Sequence, residues 1–100
     1  MKITWTREAL NKLIEIEDFI AQDSSQRAAE FIDYLIDRSE LIKKNEKMGR
    51  IVPEISNASI RELLIKNYRL VYQIQKSEIV ILTVFEGHRL IRRDEILKYK

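Results

Sequence analysis

One hundred residues with 45% apolar content are enough for one domain with a modest core of its own. The chain has no cysteine, which excludes a disulfide framework and thiol chemistry, and its longest uncharged apolar run, 79–85, falls far short of the roughly 20 residues that a membrane span needs. The net charge of +2 hides a segregation, because residues 7–40 hold nine acidic and four basic side chains whereas residues 41–100 hold seven acidic and thirteen basic; one part suits a polyanion and the other does not.

The N-terminus, MKITWTREAL, has no apolar signal-peptide core, so the expected address is the cytoplasm. Ile3 and Trp5 alternate with polar residues as in a short strand, and Thr6 is placed to cap a helix over about 7–22 with Ala9, Leu13, Ile16 and Ile20 on one face. Asp23-Ser24-Ser25-Gln26 offers a restart, behind which Ala28, Phe31, Ile32, Leu35, Ser39 and Ile42 recur at helical spacing. Two amphipathic helices joined by so few residues form an antiparallel hairpin, since neither buries its apolar stripe alone.

Residues 43–59, KKNEKMGRIVPEISNAS, contain the only proline and one of two glycines and read as the one long loop, a segment type that often carries function. Three β segments follow at 60–65, 68–75 and 78–85, separated by Lys66-Asn67 and Lys76-Ser77, spacings that suit hairpin turns. The expected architecture is α+β: an N-terminal strand, then a helical hairpin packed on a mainly antiparallel sheet that ends in a three-stranded meander. It spans 1–100 as one domain, with the last ten or so residues, LIRRDEILKYK, as a mobile or helical tail.

Arg69 stands out inside YRLVYQI. Alternation sets Tyr68, Leu70, Tyr72 and Ile74 on one side of the strand and Arg69, Val71 and Gln73 on the other. A two-residue turn at Lys76-Ser77 puts Arg69 opposite Val84. If the helices cover one face only, Arg69 lies on the open face with its guanidinium at the rim, where it would carry activity and contribute little to folding. The competing reading is a cross-strand ion pair with Glu62 or Glu86.

GRIVPE (49–54), RELL (61–64), YRLVYQI (68–74) and FEGHRLI (85–91), in this order of elements, resemble the RelE/ParE superfamily of bacterial toxins. The resemblance implies the toxin half of a type II toxin–antitoxin pair, inhibiting bacterial growth and held inactive by a cognate antitoxin that lays a helix or strand over an uncovered sheet face. Some members, such as RelE, YoeB and HigB, cut mRNA on the ribosome; the ParE branch inhibits DNA gyrase.

Metal-free RNA cleavage needs a base for the 2′-OH, a cation for the phosphorane and an acid for the leaving oxygen. By resemblance, Glu54 is similar to the base of YoeB-like members, Arg69 to the phosphate-binding arginine and Arg89 to a second arginine of RelE, while His88 suits the acid. Arg50, Arg61, Arg92 and Arg93 are further cations for an RNA phosphate backbone. This chemistry requires no metal and no cofactor. Against it, the strand before YRLVYQI reads IRELLI where RelE-like nucleases carry lysines, Glu95 falls near the place of their tyrosine, and a histidine beside an arginine is often only a solvated surface residue. The sequence favours a ribosome-dependent mRNA endoribonuclease, with ribosome and mRNA as partners. A ParE-type gyrase inhibitor without catalysis is the alternative, and a toxin fold that only binds its antitoxin is a third.

Overall fold

A computed structural model of the chain describes residues 1–87. Strand β1 (Lys2–Trp5) leads into α1 (Arg7–Ala21) and α2 (Ser25–Glu40), and a short 3-10 turn (Leu41–Lys43) closes the helical half. The strands β2 (Arg50–Ile51), β3 (Ile60–Ile65), β4 (Tyr68–Ile74) and β5 (Glu78–Glu86) follow. They form one sheet in the order β1-β5-β4-β3-β2, with β1 parallel to β5 and the other neighbours antiparallel. The expected tail and residues His88, Arg89, Arg92 and Arg93 lie outside the described residues. No helix among the described residues is long and apolar enough to cross a membrane.

The helix starts follow from their caps. The Thr6 hydroxyl accepts from the Ala9 amide at 3.0 Å and donates to the Leu82 carbonyl at 3.0 Å, so one side chain both starts α1 and ties it to β5. Ser24 accepts from the Arg27 amide at 3.1 Å and starts α2. The inner stripe of the hairpin, with Ala9, Ile16, Leu35 and Ile42, buries itself against Leu63, Ile65, Leu70, Tyr72, Ile79 and Ile81 of the sheet. The rings of Phe31 and Tyr68 meet at 5.4 Å.

The opposite face of the sheet is covered as well, contrary to the expectation of an open face. Residues 52–59 fold back over it, and Val52 and Ile55 form a second buried cluster with Ile60, Val71, Leu82 and Phe85. The fold-back is held locally: the Val52 amide donates to Ile60 O at 3.3 Å, and the amides of Ile55 and Ser56 donate to Val52 O at 3.1 and 2.9 Å. Pro53 presets the turn, and Ser56 absorbs the reversal at φ 55°. Two apolar residues three apart are thus enough to close the face, because the sheet offers them an apolar partner.

Pairing between β4 and β5 starts as the two-residue turn dictates, with Ile74 opposite Ile79, but a bulge intervenes: Val71 faces Thr83 while Tyr72 faces Ile81. The extra residue shifts Arg69 from the expected Val84 to Phe85. It also flips the alternation along β5, sending Val84 to the helical core and Phe85 to the loop-covered face.

Candidate functional site

Arg69 is 5% exposed, so the expected rim arginine is a buried one. Its Nε donates to Glu62, and its two terminal nitrogens donate to the two carboxylate oxygens of Glu54, each at 3.2 Å. The guanidinium carbon lies 5.4 Å from the centre of the Phe85 ring, the contact made possible by the bulge. Glu62 is itself buried, and its second oxygen accepts from Arg50 Nε at 2.6 Å. Pairing register explains the cluster: Arg50 sits directly opposite Glu62, and Glu62 sits opposite Val71, one diagonal step from Arg69. Glu54 arrives from the fold-back loop.

The cluster is two carboxylates interleaved with two guanidiniums. Burial pulls the Arg69 pKa down, but the hydrogen bonds and charges of Glu54 and Glu62 outweigh it and the net shift is upward. Among the described residues every buried side-chain nitrogen and oxygen has a partner, as a buried ionic cluster requires.

A second polar cluster braces the edge of this one. The Tyr72 hydroxyl donates to Glu46 O at 2.7 Å and accepts from the Gly49 amide at 3.0 Å. Burial raises the Tyr72 pKa, against the lowering effect of the Gly49 amide. Gly49 has no room for a side chain: an added Cβ would lie 2.5 Å from Glu62 O and 2.8 Å from the Tyr72 hydroxyl oxygen. Arg61 spans the same region, donating to Gly49 O at 3.0 Å and Ala58 O at 3.1 Å.

Four of the residues singled out in the sequence, Arg50, Glu54, Arg61 and Arg69, are therefore brought to one end of the sheet. Glu54, Arg61 and Arg69 hold loop, β3 and β4 together, while Arg50, its side chain 60% exposed, gives its Nε to Glu62. Glu62 is the member that the functional reading passed over, although the cross-strand reading had named it. Its signal was present in the alternation, since Ile60, Glu62 and Leu64 share the face of Arg69. His88, Arg89, Arg92 and Arg93 lie outside the described residues.

A helical hairpin on a five-stranded mixed sheet has the architecture expected of the RelE/ParE superfamily. The family described as the ParE toxin of the type II toxin–antitoxin system parDE matches residues 3–91, and the chain belongs to it. Among solved structures, the chromosomal ParDE TA system from P. aeruginosa is similar in fold, with a TM-score of 0.72 over 86% of this chain and 95% of that one at 19% identity. No curated protein matches the chain. Membership of a toxin–antitoxin family brings an antitoxin as partner. It moves the weight from the ribonuclease reading to the ParE alternative.

Proposed function

We propose that this toxin acts as a ParE-type inhibitor of DNA gyrase in the cytoplasm, engaging its target by contact and cutting no RNA. The observation that supports this reading is the two-point pair between Glu54 and Arg69 at 3.2 Å. A general base must direct a free lone pair at the 2′-OH, and a phosphate-binding arginine must direct its fork at the ligand. Here the candidate base and the candidate phosphate ligand neutralise each other, and the remaining Arg69 nitrogen is given to Glu62. Freeing Arg69 for a ligand strips the buried Glu62 of one of its two guanidinium partners and Glu54 of its fork, at a cost of about 3 kcal/mol, the lower end for breaking a buried ion pair. The β3 sequence IRELLI, without the lysines of RelE-like nucleases, supports the same reading.

The test sets two assays side by side on the purified chain: supercoiling by DNA gyrase and mRNA cleavage on translating ribosomes. Loss of supercoiling with intact mRNA is the expected result. Ribosome-dependent cleavage that is slowed by roughly 10²–10⁴-fold in Glu54→Gln would establish the nuclease reading instead.

A further inference from the structure

A pocket of about 290 Å³ lies where α2 meets the β3–β4 turn, lined by Arg27, Glu30, Phe31 and Tyr34 of the helix and by Lys66 of the turn. That volume is close to the lower limit of small-molecule sites, roughly 300 Å³. Arg27, Phe31 and Tyr34 are spaced by four and three residues, so helical geometry puts them in one row. Phe31 is fixed by the Tyr68 ring at 5.4 Å, whereas Tyr34 is 43% exposed.

The two cations of the wall come from different elements, and neither is tied to a carboxylate. Among the described residues no ion pair uses Arg27 or Lys66. The Lys66 ammonium rests over the Tyr34 ring, 5.3 Å from its centre, a weak hold at an exposed site. Glu30 is the one acid of the wall. One of its oxygens accepts from the Gln26 side-chain amide, along its own helix, at 3.1 Å.

Lys66 also stands where a lysine is costly. Its φ is 56°, in the left-handed region that glycine or asparagine takes more readily. Asn67 is its neighbour in the same two-residue turn and does not adopt it. Residues held in such conformations gather at ligand sites. Here the strained turn brings to the pocket an ammonium that has no carboxylate to hold it.

A carboxylate or a bare phosphate meets the two cations but leaves the aromatic wall and most of the volume unused, whereas a nucleoside phosphate engages every part. We propose that the pocket binds a single nucleoside phosphate, independently of the gyrase reading. Its phosphate sits between Arg27 and Lys66. A ribose hydroxyl donates to the second oxygen of Glu30, and the base stacks on the face of Tyr34 that Lys66 leaves as it moves to the phosphate. A nucleic-acid strand continuing from the pocket over the hairpin meets an acidic surface, nine acids to four bases over 7–40. The occupant is therefore one nucleotide and not a stretch of nucleic acid.

The probe is adenosine monophosphate, titrated into the full isotope-labelled chain and followed by NMR. The amides around Arg27, Tyr34 and Lys66 are expected to shift and to saturate with a Kd of roughly 10 µM–1 mM, the range that a few polar contacts and one stacked ring supply. Inorganic phosphate is expected to bind at least about tenfold more weakly, for want of stacking. Arg27→Gln weakens the nucleotide by about tenfold. Lys66→Gly does the same while keeping the thermal midpoint within about 5 °C, because glycine takes this backbone conformation freely. Lys12→Gln, on α1 and outside the pocket, stays within about twofold. No saturation by about 10 mM, inorganic phosphate as tight as the nucleotide, or wild-type binding by Lys66→Gly each overturns the proposal. A ten-nucleotide DNA strand binding more than about tenfold tighter than the mononucleotide overturns it in favour of a nucleic-acid surface.

Discussion

Replacing Arg69 by alanine tests whether the arginine of YRLVYQI serves the fold. The change strips Glu62 of one of its two guanidinium partners and strips Glu54 of the fork that holds both its oxygens. Removing one member of a buried ion pair costs about 3–5 kcal/mol. The lower end applies, because Arg50 stays on Glu62 and the Glu54 side chain, 25% exposed, turns to water. A domain of this size holds about 5–15 kcal/mol in all. A loss of about 3 kcal/mol therefore lowers Tm by roughly 12–24 °C without abolishing folding. The assay is a thermal melt with urea unfolding alongside. The double replacement Glu62→Met with Arg69→Met puts apolar volume in place of the charges, and it is expected to recover at least about 2 kcal/mol of the loss. A melting point for Arg69→Ala within about 3 °C of wild type, well under the shift for 1 kcal/mol, would refute the reasoning and return Arg69 to the open rim.

Gly49→Ala is expected to cost about 1–3 kcal/mol by overpacking, because its Cβ would meet the Glu62 carbonyl oxygen at 2.5 Å; urea unfolding measures it, and an unchanged midpoint would contradict the close approach. Ile55→Ala opens the loop-covered cluster, with an expected loss of about 2–4 kcal/mol in the same assay and faster amide exchange in 52–59, whereas exchange unchanged there would mean that the loop is held by Glu54 alone. Burial raises the pKa of Tyr72 above its ordinary 10.0, as it does for Tyr68. The stability tied to their neutral form is thus complete below pH 10 and is lost as pH rises through the folded-state values. Tyr72→Phe should flatten that alkaline decline, and a decline of unchanged slope would exclude Tyr72 as its source. The Arg69 pKa is shifted upward by Glu54 and Glu62, so its charge does not change between pH 6 and pH 9 and Arg69→Ala should cost the same at both.

The elements that could be read from the sequence are those whose signal is local. Thr6 and Ser24 announce their helices because a hydroxyl must meet an amide two or three residues on, and the helical stripes of α1 and α2 follow from spacing alone. The β3–β4 and β4–β5 turns were placed correctly for the same reason: the two-residue gap dictates Ile74 opposite Ile79. What failed was non-local. The bulge at Leu82–Thr83 carries no glycine or proline to mark it, and every residue from Ile79 to Phe85 is apolar or threonine, so an alternation that flips midway looks the same as one that does not. One inserted residue was enough to exchange Val84 for Phe85 beside Arg69.

The misreading of Arg69 has a deeper physical cause. An arginine, a loop glutamate and a second glutamate on the neighbouring strand can serve two ends with the same letters. If the loop stands away from the sheet, the guanidinium faces solvent and can take a phosphate, with the loop carboxylate beside it as a base. If the loop lies down, the carboxylate reaches the guanidinium first, and the three charges become a brace. Which of these occurs is decided outside the charged residues, by whether the loop has apolar side chains to bury and the sheet has an apolar surface to receive them. In this chain Val52 and Ile55 supply the first, and Val71, Leu82 and Phe85 the second. The burial of two aliphatic side chains, worth about 1.5–3 kcal/mol each, thus sets the role of a buried arginine. The loop's apolar residues therefore say more about the use of Arg69 than the motif in which Arg69 stands.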